Sequence, residues 1–270
     1  MFNKILSLPW LRILTGIATV ITLDRSLSIL NAMAVQSQEA TTPKTFVDWC
    51  KAAPNLSSET KHTVEVLLTQ AGTRNCTLAA EKLSKRSSLN LTQFPGGSKP
   101  GIAWSLDPKE ADTKNGVGRI NLVDLKPIAS LKNLKVLLLS ANSIKDVSPL
   151  AELTNLRELD LYFNNITDIR PLSSLKNLQK LAISSNQIQD VRPLSTLNNL
   201  TFLQLNGNQI KDVSPLSTLT KLKILKLGWN QIKDVSKLSS LNTLAKLDLR
   251  ANPIPDQTCP VKPSTACEFK

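Results

Sequence analysis

Apolar and polar residues alternate with a fixed period of 22 residues between positions 120 and 256. Each period reads LxxLxLxxNxIxD(V/I)xPLxxLxx, and we number its positions from the first leucine. Position four is a leucine in successive copies: Leu137, Leu159, Leu181, Leu203, Leu225 and Leu247. The LxxLxL segment alternates as a short strand with one buried face does. The repeats therefore predict strands that stack side by side in one parallel sheet.

The polar positions of the unit predict how the chain turns after each strand. Position nine is an asparagine, whose amide can bond backbone groups of its own and the neighbouring repeat. These asparagines are Asn142, Asn164, Asn186, Asn208, Asn230 and Asn252. Farther on, Asp146 and its equivalents can cap free N–H groups, and Pro149 and its equivalents suit the start of a helical turn. The predicted fold class is α/β, a leucine-rich-repeat solenoid whose curved parallel sheet has short helical or 3-10 turns on the convex side.

The ends of a solenoid expose its core and need caps. Residues 35–87 lack the repeat and carry three helical patterns, of which the longest runs from Glu59 to Ala71, so we expect a small α-helical N-terminal cap. The repeats are expected to occupy residues 88–256, and residues 257–270 to form a C-terminal cap.

The first repeat contains an insertion. Leu91 fits the last leucine of LxxLxL, but the apolar residue expected five positions later is Leu122. About 26 residues, near 93–119, therefore interrupt this repeat, and they include Trp104 and several turn residues. A functional loop and a tolerated insertion are both open interpretations.

The first 34 residues resemble a secretory signal peptide. Lys4 and Arg12 give a positive start, residues 13–23 are apolar, and Ala32-Met33-Ala34 fits a cleavage site. Asp24-Arg25 makes the segment before this site unusually polar, and an uncleaved membrane anchor is the alternative. The apolar run is shorter than the ~20 residues that span a bilayer, and no later segment is a candidate, so we expect a mature chain without a transmembrane segment.

The four cysteines form two groups near the ends of the mature chain. In an exported protein, Cys50 with Cys76 and Cys259 with Cys267 indicate disulfides, the second closing the C-terminal cap. Zinc is the competing interpretation, but no two cysteines have C-x₂-C spacing and His62 is the only histidine.

The register defines a candidate binding surface, which we call the concave face. It comprises the side chains at positions three, five and seven, which point away from the core, and the rim at position eight. Exposed apolar side chains typically mark contacts with a partner, and Tyr162, Phe202 and Trp229 are expected to face outward within roughly 15 Å. The candidate partner-binding residues are Val136, Leu138, Glu158, Asp160, Tyr162, Phe163, Lys180, Phe202, Gln204, Ile224, Lys226 and Trp229.

Charge supports a second hypothesis. The formal net charge of +12 permits binding of an acidic glycan or another polyanion at the cell envelope. Its basic residues would lie outside the concave face: Lys126, Lys145, Arg170, Arg192, Lys211 and Lys233. We expect no nucleic-acid partner, and we expect a monomer.

Catalytic, cofactor and metal functions have weak support. His62 lies on a predicted cap helix, and the cysteines are expected in disulfides, so Ser–His and Cys–His arrangements are disfavoured. The aspartates at position thirteen could suggest calcium, but each precedes its own turn and suits capping better. The chain is therefore predicted to be a non-enzyme without cofactor or metal.

The repeat unit, and in particular residues 144–150 and 210–216, resembles the 22-residue class of internalin-type bacterial surface proteins. The segments from Phe46 to Cys76 and from Cys259 to Cys267 look like the caps of other exported bacterial leucine-rich-repeat proteins. This resemblance implies a protein-binding module that is secreted, periplasmic or held at the cell envelope, with a partner that no residue identifies. An intracellular regulatory subunit of an enzyme is a further alternative, which the signal peptide disfavours.

Overall fold

The computed structural model describes residues 43–92 and 121–269, and its helices precede its repeats. The helices are α1 Phe46–Ala52, α2 Ser58–Ala71 and α3 Cys76–Ser84. Each starts after a residue whose side chain accepts an N–H of the first turn: Thr45, Ser57 and Asn75. α2 ends at Gly72, whose φ of 65° is left-handed and costs glycine little.

Eight short strands follow and form one open parallel sheet in chain order. Their bounds are β1 Ser88–Asn90, β2 Val136–Leu138, β3 Glu158–Asp160, β4 Lys180–Ala182, β5 Phe202–Gln204, β6 Ile224–Lys226, β7 Lys246–Asp248 and β8 Cys267–Glu268. From β2 to β7 the paired residues are one repeat apart, as Leu159 with Leu181. The predicted solenoid class is confirmed. The 22-residue period of the sequence equals the separation of paired residues on these strands. β8 is an addition that the repeat pattern does not predict, with Cys267 opposite Leu247.

The chain returns from strand to strand through 3-10 turns. In the repeats these are Ile128–Ser130, Ser148–Glu152, Arg170–Ser174, Arg192–Thr196, Ser214–Thr218 and Ser236–Ser240. The aspartate before each turn accepts the N–H of the residue two positions later, as Asp146 does from Ser148 at 2.8 Å. This bond satisfies a donor at the start of the turn, which has no partner within the turn itself.

Two asparagine ladders connect the repeats. At position nine, Asn186 donates to the carbonyl oxygens of Leu161 and Ile183 at 3.0 and 3.2 Å and accepts the Ile166 N–H at 3.0 Å. Leu161 and Ile166 belong to the preceding repeat, so each such asparagine joins two repeats. The second ladder, at position twenty-two, is one that the sequence analysis missed. Its members Asn155, Asn177 and Asn199 each donate to a carbonyl oxygen 23 residues earlier.

The leucine core is continuous from the helices to the C-terminal segment. Thr63 of α2 donates to the Asp124 carbonyl oxygen at 2.7 Å, which attaches the helices to the first repeat. The expected disulfides are present, Cys50 with Cys76 between α1 and α3, and Cys259 with Cys267 at the other end. They hold the segments that cover the two ends of the core.

The first repeat keeps its register on both sides of the insertion. Asn142 Nδ2 donates to the Leu91 carbonyl oxygen at 3.0 Å, and its Oδ1 accepts the Leu122 N–H at 2.8 Å. The same pair of bonds ties Leu139 and Ile144 to the asparagine of the next repeat. Leu91 and Leu122 therefore occupy consecutive apolar positions of one repeat despite their separation in sequence.

Two predicted segments fall outside the described residues, the signal peptide at 1–34 and the insert at 93–119. Within 43–92 and 121–269, none of the helices combines the length and apolar character that a bilayer crossing needs.

Candidate functional site

The side chains of the concave face differ widely in accessibility. Those at positions four and six, such as Leu159 and Leu161, are fully buried in the core. The half-buried candidates are Val136, Leu138, Glu158, Lys180, Ile224 and Lys226. The exposed candidates are Tyr162, Phe163 and Trp229, and the buried ones are Asp160, Phe202 and Gln204. The exposed candidates therefore lie just after β3 and β6, and the half-buried ones lie on β2, β3, β4 and β6.

The prediction that Phe202 is an exposed aromatic anchor is wrong. Its side chain is only 6% exposed, because it packs with Ala182 of β4 and Ile224 of β6 in a small cluster separate from the leucine core. Adjacent strands lie ~4.8 Å apart, so a large ring at position three spreads over its neighbours. Phe202 therefore packs within the concave face instead of projecting from it.

Asp160 and Gln204 are also covered, contrary to the expectation that they are accessible. Asp160 Oδ1 accepts the Tyr162 N–H at 2.9 Å, so this carboxylate caps the turn after β3. Burial raises the pKa of Asp160, while the hydrogen bond from the Tyr162 N–H acts in the opposite direction. No Lys or Arg of the described residues forms an ion pair with Asp160, whereas its neighbour Glu158 pairs with a lysine on β4.

The rim has an unusual backbone. Position eight is left-handed in the six copies that the structure describes there: Ala141, Phe163, Ser185, Gly207, Trp229 and Ala251 have φ between 53° and 65°. Glycine tolerates this conformation, whereas for other residues it costs about 1–2 kcal/mol of conformational energy. Phe163 and Trp229 nevertheless occupy it with side chains 60% and 54% exposed. The Phe163 ring lies 6.1 Å from the ring of Tyr162.

A polar network lies beside Trp229. The Arg250 guanidinium is 5.1 Å from the ring centroid of Trp229 and binds Asp248 through Nε and a terminal nitrogen at 2.9 and 2.8 Å. Asn206 donates to Asp248 and accepts the Gly228 N–H at 3.0 Å. Burial opposes ionisation of Asp248, but its bonds to Arg250 outweigh this effect and lower its pKa. The network holds Arg250 against one side of the indole ring.

The basic residues proposed for polyanion binding divide into two groups. Arg170 and Arg192 are each paired with the aspartate two residues earlier, at 2.7 and 2.8 Å. The others form no ion pair with a described residue and are exposed: Lys126, Lys145, Lys211 and Lys233. Two of the six charges are thus neutralised locally.

The residues considered for catalysis or metal binding remain dispersed. His62 is exposed on α2, and all four cysteines are oxidised. In the part of the chain that the structure describes, no three His, Cys, Asp or Glu side chains gather in a way that could hold a metal ion. The aspartates at position thirteen instead accept N–H groups of their own turns.

Comparison with known proteins agrees with this architecture. A sequence profile for leucine-rich repeats in two copies matches residues 132–174, 154–196 and 198–240. Internalin C2 of Listeria monocytogenes is 28% identical over 76% of this chain and 91% of that protein, with a TM-score of 0.57. No curated protein matches the sequence.

Two further solved structures share shorter regions. An internalin of Listeria monocytogenes, inlF, is 45% identical over 49% of this chain and 39% of that one, with a TM-score of 0.48. A leucine-rich-repeat protein of Leptospira interrogans is 26% identical over 54% of this chain and 45% of that one, with a TM-score of 0.45. This chain thus matches less than half the length of either protein.

The repeats, the sheet and the matched profile define a leucine-rich-repeat protein. More particularly, the chain is similar to internalin C2 in sequence and in fold.

Proposed function

We propose that this protein is a non-catalytic module that binds a protein partner on its concave face. The observation that carries the proposal is the pair of exposed rings, Phe163 and Trp229, at left-handed rim positions. Neither ring gains much burial, and each has a backbone conformation that favours glycine. Folding stability therefore does not account for them, whereas exposed aromatic side chains are frequent anchors of interfaces.

Glycine substitution tests the proposal because it separates binding from stability. The double variant Phe163→Gly/Trp229→Gly should unfold within about 1 kcal/mol of wild type, since relief of the left-handed strain offsets the added freedom of the unfolded chain. In the control Ala141→Gly/Ala251→Gly, the equivalent rim residues of two other repeats change and both rings remain.

The readout is quantitative capture of proteins from the native cell envelope and culture medium. We expect a partner that wild type and the control retain and that the aromatic double variant loses, because truncating a true anchor costs at least ~2 kcal/mol of binding. Capture of the same proteins, in the same amounts, by all three chains would refute a binding role for the concave face.

We propose further that the protein acts after export, secreted or at the cell envelope. Support comes from the leader-like sequence at 1–34 and from the two disulfides, which persist in oxidising compartments. The mature chain should begin near Val35 and contain no reactive thiol. Terminal sequencing and thiol titration of the native protein check both points, and two or more reactive thiols would contradict an oxidising location.

A further inference from the structure

Lys226 of β6 differs from the other cations at positions three, five and seven of the concave face. Within the described residues it has no carboxylate partner, whereas each of the others is paired. The pairs are Lys180 with Glu158 at 2.8 Å, Lys246 with Glu268 at 2.7 Å, and Arg250 with Asp248 at 2.8 Å. The group on β6–β8 and the turn after β7 therefore has three cations and two carboxylates.

The nearest carboxylate in register is already saturated. Asp248 lies opposite Lys226 on β7, yet its Oδ1 accepts Arg250 Nε at 2.9 Å, and its Oδ2 accepts Arg250 at 2.8 Å and Asn206 at 3.3 Å. Its side chain is fully buried. A Cβ at Gly228 would lie 3.1 Å from Oδ1, so even the neighbouring backbone is fitted to this arrangement. Asp248 therefore cannot neutralise Lys226 without giving up bonds to Arg250.

Lys226 is also partly removed from water. Burial lowers the pKa of Lys226 and the nearby charge of Lys246 adds to the effect, while the charges of Asp248 and Glu268 oppose it without outweighing burial. A partly desolvated ammonium without a carboxylate in direct contact is costly, and a carboxylate placed against it offsets that cost. The chain itself does not supply this group from its described residues.

The surroundings of Lys226 suit a polypeptide better than a sugar. Ile224, two residues earlier, is half-buried beside Phe202 and forms an apolar strip, and the Trp229 ring stands at the rim of the same repeat. A sugar would need several free donors and acceptors. Asn206 and Asp248 are occupied by each other and by their neighbours. An acidic side chain flanked by an apolar one fits both features.

We propose that Lys226 receives a carboxylate from the protein partner, so that the bound segment carries an Asp or Glu next to an apolar or aromatic residue. This inference rests on the proposed binding role of the concave face and adds the chemical class of the contact. Lys226 then sets specificity, while the rim rings supply apolar contact.

Selection from a displayed library of random peptides on the whole protein tests the inference. Peptides that wild type selects should be enriched in Asp or Glu beside apolar residues. Such a peptide should bind Lys226→Glu at least about tenfold more weakly, because removing or reversing one charge of a partly buried ion pair weakens binding strongly. Lys226→Gln should give an intermediate loss, and it serves as the test variant if the glutamate variant folds poorly. Exchanging the peptide's acidic residue for lysine should restore binding to Lys226→Glu.

Lys233→Glu is the matched control, because it makes the same charge change in the same repeat at an exposed position outside the concave face. Its affinity for the selected peptides should stay within about twofold of wild type. Peptides that need Trp229 but show no acidic preference would overturn the role of Lys226 and leave the proposed function standing. Peptides that need neither Trp229 nor Phe163 would overturn both proposals. Binding of a polyuronate at Lys226, with no acidic peptide selected, would overturn the assignment of a protein segment.

Discussion

Individual side chains on the concave face have different roles even where the repeat places them alike. Position five is the clearest case, since Asp160 and Asp248 both lie there and both accept the N–H two residues later. Asp248 has Arg250 as its counter-ion, whereas the residue equivalent to Arg250 after Asp160 is Tyr162. Ionised Asp248 thus favours folding, whereas ionised Asp160 opposes it.

Asp160→Asn is expected to raise stability at neutral pH and to lose this advantage in acid. The amide oxygen can keep the bond to the Tyr162 N–H, as Asn90 does with Thr92 at 3.1 Å at the same position of β1. Because burial raises the folded-state pKa of Asp160, the ionised form costs stability above that pKa. As pH falls through the folded pKa the carboxyl group becomes protonated and the cost disappears.

Denaturant midpoints of wild type and Asp160→Asn at neutral and acidic pH measure this effect. Asp146→Asn, which alters an exposed turn carboxylate that also accepts an N–H two residues later, is the matched control. A difference between wild type and Asp160→Asn that stayed constant with pH would show that the charge of Asp160 is not the cause.

At the scale of elements, the 22-residue period is enough to predict the strands, the 3-10 turns and the pairing register. This is because every repeat packs the same apolar positions against its neighbours. The helices could be predicted from caps such as Ser57 and Gly72. The period also gives the direction of each side chain, but not how far its neighbours cover it. Coverage depends on pairs across adjacent strands, such as Phe202 beside Ala182, and this is why the predicted aromatic patch was only partly right.

Two other features could not be predicted from the repeat pattern, because neither has a regular signal in the sequence. The position-twenty-two ladder contains Asn155 and Asn177 but gives way to Lys221 and Thr243 in later repeats, so its column is less regular than that at position nine. β8 is two residues long and is positioned by the disulfide at Cys267 and by pairing with β7, neither of which leaves a periodic signal.

The two disulfides should contribute unequally to stability. Cys50 and Cys76 are 26 residues apart, and Cys259 and Cys267 only 8. In the chain-entropy model the longer loop gives about 3–4 kcal/mol and the shorter about 2–3 kcal/mol. Paired Cys→Ser variants at each site, compared by denaturant unfolding, check the order. A larger loss from the C-terminal pair would mean that closing β8 over the core contributes more than loop entropy does.

Over the whole molecule, the exposed aromatic side chains and most of the exposed lysines without an ion pair to a described residue lie on different surfaces. The exposed rings and Lys226 belong to the concave face, while Lys126, Lys145, Lys211 and Lys233, which form no ion pair with a described residue, lie outside that face. The concave face also holds its own ion pairs, so most of its charge is compensated. The net charge of +12 is therefore a poor guide to the chemistry of the proposed site.

This separation predicts a weak dependence of partner binding on salt. A contact centred on Lys226 and the rim rings would release about one ion, so a plot of log affinity against log salt should have a slope near about −1, whereas a polyanion held by four lysines would approach about −3 to −4. Calorimetry or surface-based binding across a salt series with the captured partner gives the slope. The triple variant Lys145→Gln/Lys211→Gln/Lys233→Gln should leave both affinity and slope nearly unchanged. A steep slope that this variant abolishes would move the binding surface from the concave face to these lysines, which are exposed and form no ion pair with a described residue.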